Sequence, residues 1–232
     1  MMVDMAHTSG LSARFDKNKT SVCYYPSPLP YADVVTSTVQ KTLRSGRGGI
    51  ILSNDEELGK KIDKAVFPQM SGGPLMNMIA GKAMGFAEAL EPDFLWYKEK
   101  IVQNIHEMVE VFKANNIKMI TNGSSNHLIL IDLKGENFSG KDLEEVLEKQ
   151  GIITNKNAVQ GDTRPKTETS GLRIGTACIT TRGMGRKEAN IIANIIASKI
   201  QLLRTYNGIP DEVFEKNREI VKNLCKQFPI YK

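Results

Sequence analysis

Four side chains able to do chemistry stand beside strand-like segments of this sequence. Lys41 follows the β-branched run VVTSTV and precedes a glycine-rich turn, and VDMAH places Asp4 and His7 at the end of a short apolar segment. Arg173 lies inside the apolar run GLRIGT, where an unpaired guanidinium would be costly. An amine that forms a Schiff base, a carboxylate that holds a pyridinium proton and a guanidinium that grips a carboxylate are the components of a pyridoxal phosphate site. Their spacing alone leaves ordinary alternatives open: a surface lysine, a capping aspartate and a loop histidine.

The elements that position these residues follow from apolar patterning and turn signals. Short apolar or β-branched runs predict strands of parallel type at residues 3–6, 32–38 and 49–52, followed by helices at 53–67, 74–91 and 93–116. Beyond them the pattern predicts strands at 117–120, 127–133 and 171–177 and helices at 139–151, 186–203 and 211–227. Ser139 and Asp142 have the spacing of a capping box. We therefore predict an α/β protein with residues 1–91 in one domain and 92–232 in a smaller C-terminal α/β domain.

Composition excludes several classes of protein. The 232 residues are 41% hydrophobic and 25% charged, and no apolar run approaches the roughly 18 residues of a membrane helix. The start lacks the pattern of a signal peptide, so we expect a cytoplasmic protein. Three scattered cysteines form no metal-ligand pattern, and no metal site is predicted. The net charge of +5 is spread over amphipathic helices with few aromatic residues, which argues against nucleic-acid binding.

Six motifs resemble, in order along the chain, those of serine hydroxymethyltransferase: VDMAHTSGL, YPSPLPYADVVTSTVQKTLRSGRGGIIL, VFPQMSGGPLMNMIAGKAMGFAEALEP, NHLILIDL, ITNKNAV and TSGLRIGTACITTRG. The resemblance covers nearly the whole chain but only the C-terminal half, or slightly more, of the family's length. It implies the C-terminal part of the type I pyridoxal-phosphate-dependent transferase fold, made of a partial large domain and the small C-terminal domain. It also implies transfer of the hydroxymethyl carbon of L-serine to tetrahydrofolate, which gives glycine and methylenetetrahydrofolate in one-carbon metabolism.

The resemblance assigns roles to individual residues. Lys41 would form the Schiff base with pyridoxal 5'-phosphate, Asp4 would pair with the pyridinium nitrogen, and His7 would lie by the phenolic oxygen of the cofactor. Arg173 would bind the carboxylate of the amino acid substrate. The other implied residues are Thr38, Gly72 and Gly73 at the cofactor, with the two glycines facing a neighbouring subunit's phosphate, Gln40 for substrate preference, and Asn157, Pro165, Lys166 and Thr167 at the folate.

Departures from the family pattern bear on activity. Gln40 stands where the family has histidine, and glutamine cannot take up a proton. The family's N-terminal half supplies further cofactor contacts, so we expect this fragment to be weak or inactive alone. Three readings stay open: a piece that assembles with a separately encoded N-terminal half or in a homodimer, an inactive truncated product, and an interaction subunit that docks on a full-length homologue. Threonine aldolase activity is a further alternative.

Overall fold

The computed structural model of the chain describes residues 1–13, 25–206 and 211–231. It divides into two compact units, Met1–Glu99 and Lys100–Lys232. The division falls inside a long helix, whereas the sequence placed a domain boundary after residue 91, which stays a prediction. Among the described residues no helix is both long and apolar enough to cross a membrane.

The first unit contains a three-stranded sheet in the order β1-β2-β3, formed by Met2–Asp4, Val34–Thr38 and Gly49–Leu52. β1 runs parallel to β2, with Asp4 opposite Thr36. β3 runs antiparallel to β2, so the prediction of parallel-type strands is wrong for this pair. The reason is the short link of residues 39–48, because parallel neighbours need a crossover of about a dozen residues or more.

The helices of the first unit differ in how much they bury. α1 (Ser9–Ser12) is short and buried directly after β1, whereas α2 (Glu56–Lys64) contributes no buried residue. A π-helical turn, Ala65–Met70, leads towards α3 (Met76–Leu90), which buries only Gly85 and Ala89.

The second unit is built on a three-stranded antiparallel sheet in the order β4-β6-β5, formed by Leu128–Asp132, Gly171–Gly175 and Asn155–Lys156. The sequence did not predict β5, because two residues are too few to give a periodic signal. The strand predicted at 117–120 is wrong: only Met119 forms a bridge, to Ile131, and a 3-10 turn, Ile120–Asn122, follows.

The helices of the second unit are α5 (Gly140–Glu148), α6 (Ala177–Thr181), α7 (Arg186–Thr205) and α8 (Asp211–Gln227). α4 (Pro92–Ala114) crosses the division between the units. The predicted capping box of Ser139 and Asp142 is confirmed. The core of this unit is formed by aliphatic residues of α4, α5, α7 and the sheet, such as Ile105, Ile131, Leu143 and Ile196. This packing fixes the strand that carries Arg173.

Candidate cofactor site

Lys41 and His7 meet at one edge of the first sheet. Each follows the C-terminal end of its strand, β2 for Lys41 and β1 for His7, and these strands are parallel. Because the C-terminal ends of parallel strands share an edge, residues placed just beyond them converge. The Nζ atom of Lys41 lies 2.9 Å from Nε2 of His7, and both side chains are half-buried.

The segment around His7 is tied to the Lys41 loop by Thr42, which is fully buried. The hydroxyl of Thr42 donates to the carbonyl oxygen of His7 at 3.0 Å and accepts from the backbone N–H of Gly10 at 3.0 Å. A Cβ added to Gly10 would lie 2.2 Å from the backbone of Thr42, so only glycine permits this approach. Thr42 therefore sets the distance between the backbone of His7 and the loop that carries Lys41.

Asp4 is exposed at the same edge, and its carboxylate is held by two donors. The hydroxyl of Thr36 donates to Oδ2 at 2.7 Å, and the backbone N–H of Ala6 donates to Oδ1 at 3.0 Å. The Thr36 hydrogen bond is the largest cause, and the Ala6 hydrogen bond the next, of a lowered pKa for Asp4, with smaller contributions from the charges of Lys41 and His7. An ionised carboxylate is what a protonated pyridine nitrogen requires.

Two further predicted residues brace the loop. The hydroxyl of Thr38 donates to the carbonyl oxygen of Ala6 at 3.4 Å, and the side-chain oxygen of Gln40 accepts from the N–H of Gly48 at 3.4 Å. Gln40 thus spans the turn that contains Lys41. An amine, an imidazole and an ionised carboxylate lie on one sheet edge, and these three groups fit the ring end of pyridoxal phosphate.

Gly72 and Gly73 lie on the exposed segment between the π-helical turn and α3. A Cβ added to either glycine would meet no atom of the described residues within 4 Å. Neither residue has the positive φ angle that would by itself favour glycine. The described part of the chain therefore gives no steric reason for glycine at these positions.

In the second unit, Arg173 lies in β6 and is half-buried. Its Nε donates to the side-chain oxygen of Asn155 at 3.2 Å, and its backbone pairs with Asn155 and Leu130 of the neighbouring strands. Among the described residues it forms no ion pair with a carboxylate. Its terminal nitrogens are the pair of donors that a carboxylate accepts in bidentate fashion.

The predicted folate residues lie in the loop between β5 and β6. The backbone N–H of Asn157 donates to the carbonyl oxygen of Gly171 at 2.9 Å, which continues the β5 edge. Pro165, Lys166 and Thr167 form an exposed turn. The contacts of Asn157 and of this turn within the described residues do not by themselves indicate that a ligand binds here.

Asp162 organises that loop. Its carboxylate accepts from the backbone N–H and the hydroxyl of Ser170, both at 2.7 Å, and from the N–H of Arg164 at 3.1 Å. The hydrogen bond from the Ser170 hydroxyl, with those from backbone amides, lowers the pKa of Asp162 to about 2.

Sequence reasoning brought some of these residues into view and missed others. Asp4, His7 and Lys41 are brought together in the first unit, and Arg173 belongs to the second. The missed residues are those that position the site, namely Thr36, Thr42, Asn155 and Asp162. The position of Thr42 directly after the lysine was the one feature that could have drawn attention to it. Its hydrogen-bond partners could not be predicted, because they are distant in the sequence.

Comparison with known proteins gives a consistent result. The model of the serine hydroxymethyltransferase family matches residues 1–196. The chain is 45% identical over 231 residues to the serine hydroxymethyltransferase of Wolbachia pipientis subsp. Culex pipiens, and 43% identical over 233 residues to that of Francisella tularensis subsp. novicida. These alignments cover 100% of this chain and 52% and 53% of the two relatives. The chain thus spans about half the length of the curated relatives it matches.

Proposed function

The chain belongs to the serine hydroxymethyltransferase family and has part of its type I pyridoxal-phosphate-dependent transferase fold; from this membership we propose that it holds the cofactor through Lys41. The reaction we propose is transfer of the hydroxymethyl carbon of L-serine to tetrahydrofolate, which gives glycine and methylenetetrahydrofolate. The observation that carries the proposal is the cluster at one sheet edge, where Lys41 Nζ lies 2.9 Å from His7 Nε2. Bound pyridoxal phosphate supplies an electron sink for the bonds that break at the substrate's α carbon.

Residues of the first unit hold and polarise the cofactor in this proposal. Lys41 provides the amine that attaches it. Asp4 keeps a proton on the pyridine nitrogen, because the donors from Thr36 and Ala6 favour the ionised carboxylate. His7 lies close enough to Lys41 to face the same part of the ring.

Residues of the second unit recognise substrates in this proposal. Arg173 binds the α-carboxylate of serine or glycine, since its planar guanidinium matches a carboxylate better than an ammonium does. The hydrogen bond from Nε to Asn155 fixes the plane of the guanidinium and leaves the terminal nitrogens for the substrate. Asn157 and the turn of Pro165, Lys166 and Thr167 contact the folate.

We further propose that turnover requires protein beyond these 232 residues, from a second subunit or from an N-terminal half on the same or another chain. Two observations support this proposal. Large apolar side chains of the segment from the π-helical turn through α3 are exposed, among them Phe67, Met70, Leu75, Met84 and Leu90. A patch of this kind usually marks a surface that binds protein. Gly72 and Gly73 adjoin it, and their lack of side chains would let a phosphate or another backbone approach closely.

A second candidate reaction is cleavage of threonine to glycine and acetaldehyde without tetrahydrofolate. Gln40 favours it, because this amide replaces a titratable family histidine next to Lys41 and is engaged with Gly48. A proton that histidine could move at this position must be moved by another group.

The test combines this chain with the N-terminal half of the Wolbachia relative by co-expression. We expect the purified pair to convert serine to glycine in the presence of tetrahydrofolate, and we expect Lys41→Ala to abolish the activity. Arg173→Lys should raise the KM for serine at least about tenfold, since a bidentate contact is lost. Lys60→Ala, on the exposed face of α2, is the matched control and should leave turnover unchanged.

Other outcomes of this experiment separate the alternatives. Co-purification without turnover would contradict the enzymatic proposal and support an interaction subunit. Neither binding nor turnover would support an inactive product. Threonine cleavage that exceeds serine turnover would favour the aldolase reaction.

A further inference from the structure

The contact between Lys41 and His7 constrains where the proton lies. A hydrogen bond at 2.9 Å between Nζ and Nε2 needs a donor on one side and a lone pair on the other. An ammonium has three donor hydrogens and no lone pair, so in a pair of a Lys41 ammonium and a neutral imidazole the amine is the donor. His7 then accepts through an unprotonated Nε2 and carries its own proton on Nδ1.

We propose that His7 is a catalytic acid-base residue for attachment of an aldehyde to Lys41. This inference rests on the proposed function, in which the aldehyde is that of pyridoxal phosphate. It gives His7 a task before the cofactor is in place, in addition to a position beside the bound cofactor.

The attachment balances with His7 as the carrier of one proton. His7 Nε2 takes a proton from the Lys41 ammonium, and the free amine attacks the aldehyde carbon. A second proton moves from this nitrogen to the new alkoxide, which gives a carbinolamine. His7 then returns its proton to the carbinolamine hydroxyl, which leaves as water while the nitrogen lone pair forms the protonated imine. The sum is one ammonium and one aldehyde giving one protonated imine and one water, with His7 regenerated.

The fold holds the pair in place from both sides. Thr42, adjacent to Lys41, donates to the carbonyl oxygen of His7 at 3.0 Å. The N–H of Met5 donates to the carbonyl oxygen of Thr36 at 2.9 Å, which extends the β1–β2 pairing to just before His7. The Asp4 carboxylate lies at the same sheet edge, held by the Thr36 hydroxyl and the backbone N–H of Ala6.

The test measures the rate of attachment and not its extent, since affinity of the chain alone is expected to be weak. The chain is mixed with pyridoxal 5'-phosphate, samples are reduced with borohydride at intervals, and the label on each lysine is measured by peptide mass spectrometry. Lys60, exposed on α2, is the internal reference. We expect Lys41 to be labelled faster than Lys60 in the native sequence.

The variants separate proton transfer from positioning. His7→Gln keeps a hydrogen-bond acceptor but cannot carry a proton, and we expect labelling of Lys41 to slow at least about tenfold, at the low end of what acid-base catalysis contributes. His7→Ala should be equally slow and should recover when imidazole is added, which a purely structural role would not produce. His106→Gln, on an exposed position of α4, is the matched control and should label Lys41 at the native rate.

The outcomes are distinguishable from failure of the proposed function. If Lys41 is labelled faster than Lys60 but His7→Gln changes its rate less than twofold, the role of His7 is refuted and the cofactor lysine stands. If His7→Ala is slow and imidazole does not restore its rate, the acid-base role is likewise refuted. If Lys41 is labelled no faster than Lys60 in the native sequence, the contact with His7 gives Lys41 no advantage and the role of His7 is refuted, while the assignment of Lys41 is decided separately by labelling of the assembled protein.

Discussion

Replacing Thr42 by valine should remove the hydrogen bonds that join the segment carrying His7 to the loop carrying Lys41. Valine preserves the volume of the fully buried side chain but removes the hydroxyl. The N–H of Gly10 and the carbonyl oxygen of His7 each lose a hydrogen bond of 3.0 Å. An unsatisfied buried group costs about 1–3 kcal/mol, and the half-buried His7 carbonyl belongs at the lower end, so we expect a loss of about 2–4 kcal/mol.

The assay is urea unfolding of the whole chain followed by the fluorescence of Trp96, the single tryptophan, which lies in the first unit. With a slope of about 2 kcal/mol per molar urea, the midpoint should fall by about 1–2 M. Thr42→Ser is the matched control: it keeps the hydroxyl, loses one buried methyl and should cost only about 1 kcal/mol. Two results would refute the reasoning. In the first, the midpoint of Thr42→Val lies within about 0.2 M of the native midpoint, which is roughly the error of the measurement. In the second, the midpoint of Thr42→Val is no lower than that of Thr42→Ser.

Three further predictions concern parts of the fold away from Lys41. Lys199 is fully buried, and its amine has no hydrogen-bond partner among the described residues. Burial lowers the pKa of this amine. Lys199→Met should therefore stabilise the chain by about 1–3 kcal/mol in urea unfolding. The folded chain then binds fewer protons than the unfolded chain between the lowered and the ordinary lysine pKa, so native stability should rise with pH across that window, and the variant should lack this rise. Asp162, with a pKa of about 2, should stabilise the fold fully above its ordinary pKa of 3.8 and lose this contribution as pH falls to about 2; Asp162→Asn should be less stable at pH 7 and should lack that acid-dependent loss. Gly140→Ala should cost about 1–3 kcal/mol because its Cβ would lie 2.2 Å from the Gly171 carbonyl oxygen. Gly59→Ala should instead gain about 0.5–1 kcal/mol, because the added Cβ would meet no atom of the described part of the chain within 4 Å. Equal effects of the two alanine substitutions in thermal melts would contradict the packing argument.

The larger elements could be predicted from sequence because their signals are local. The capping box at Ser139 and the strand Gly49–Leu52 agree with the structure, since a hydrogen-bonded cap and a short apolar run between turns are encoded by neighbouring residues. The direction of β3 could have been predicted as well, because the short link after β2 excludes a parallel crossover. The two-residue strand Asn155–Lys156 could not, because its pairing depends on β6 and not on its own composition.

The same distinction applies to the candidate site. Lys41, Asp4 and His7 were predicted because their chemistry is apparent from residue type and because the motifs resemble a known family. Thr42 was missed, since a threonine beside a lysine has many local roles and its two partners lie more than 30 positions away. Candidate reactive residues are therefore easier to find in a sequence than the residues that position them.

The central claim, that Lys41 is the amine that holds the cofactor, is tested most directly by where that cofactor attaches in the assembled protein. The chain co-expressed with the N-terminal half of the Wolbachia relative is saturated with pyridoxal 5'-phosphate, reduced with borohydride and mapped by mass spectrometry. The account predicts one phosphopyridoxyl group on this chain, attached to Lys41 and lost in Lys41→Ala. A label of the same stoichiometry at another lysine, or one that persists in Lys41→Ala, would contradict it.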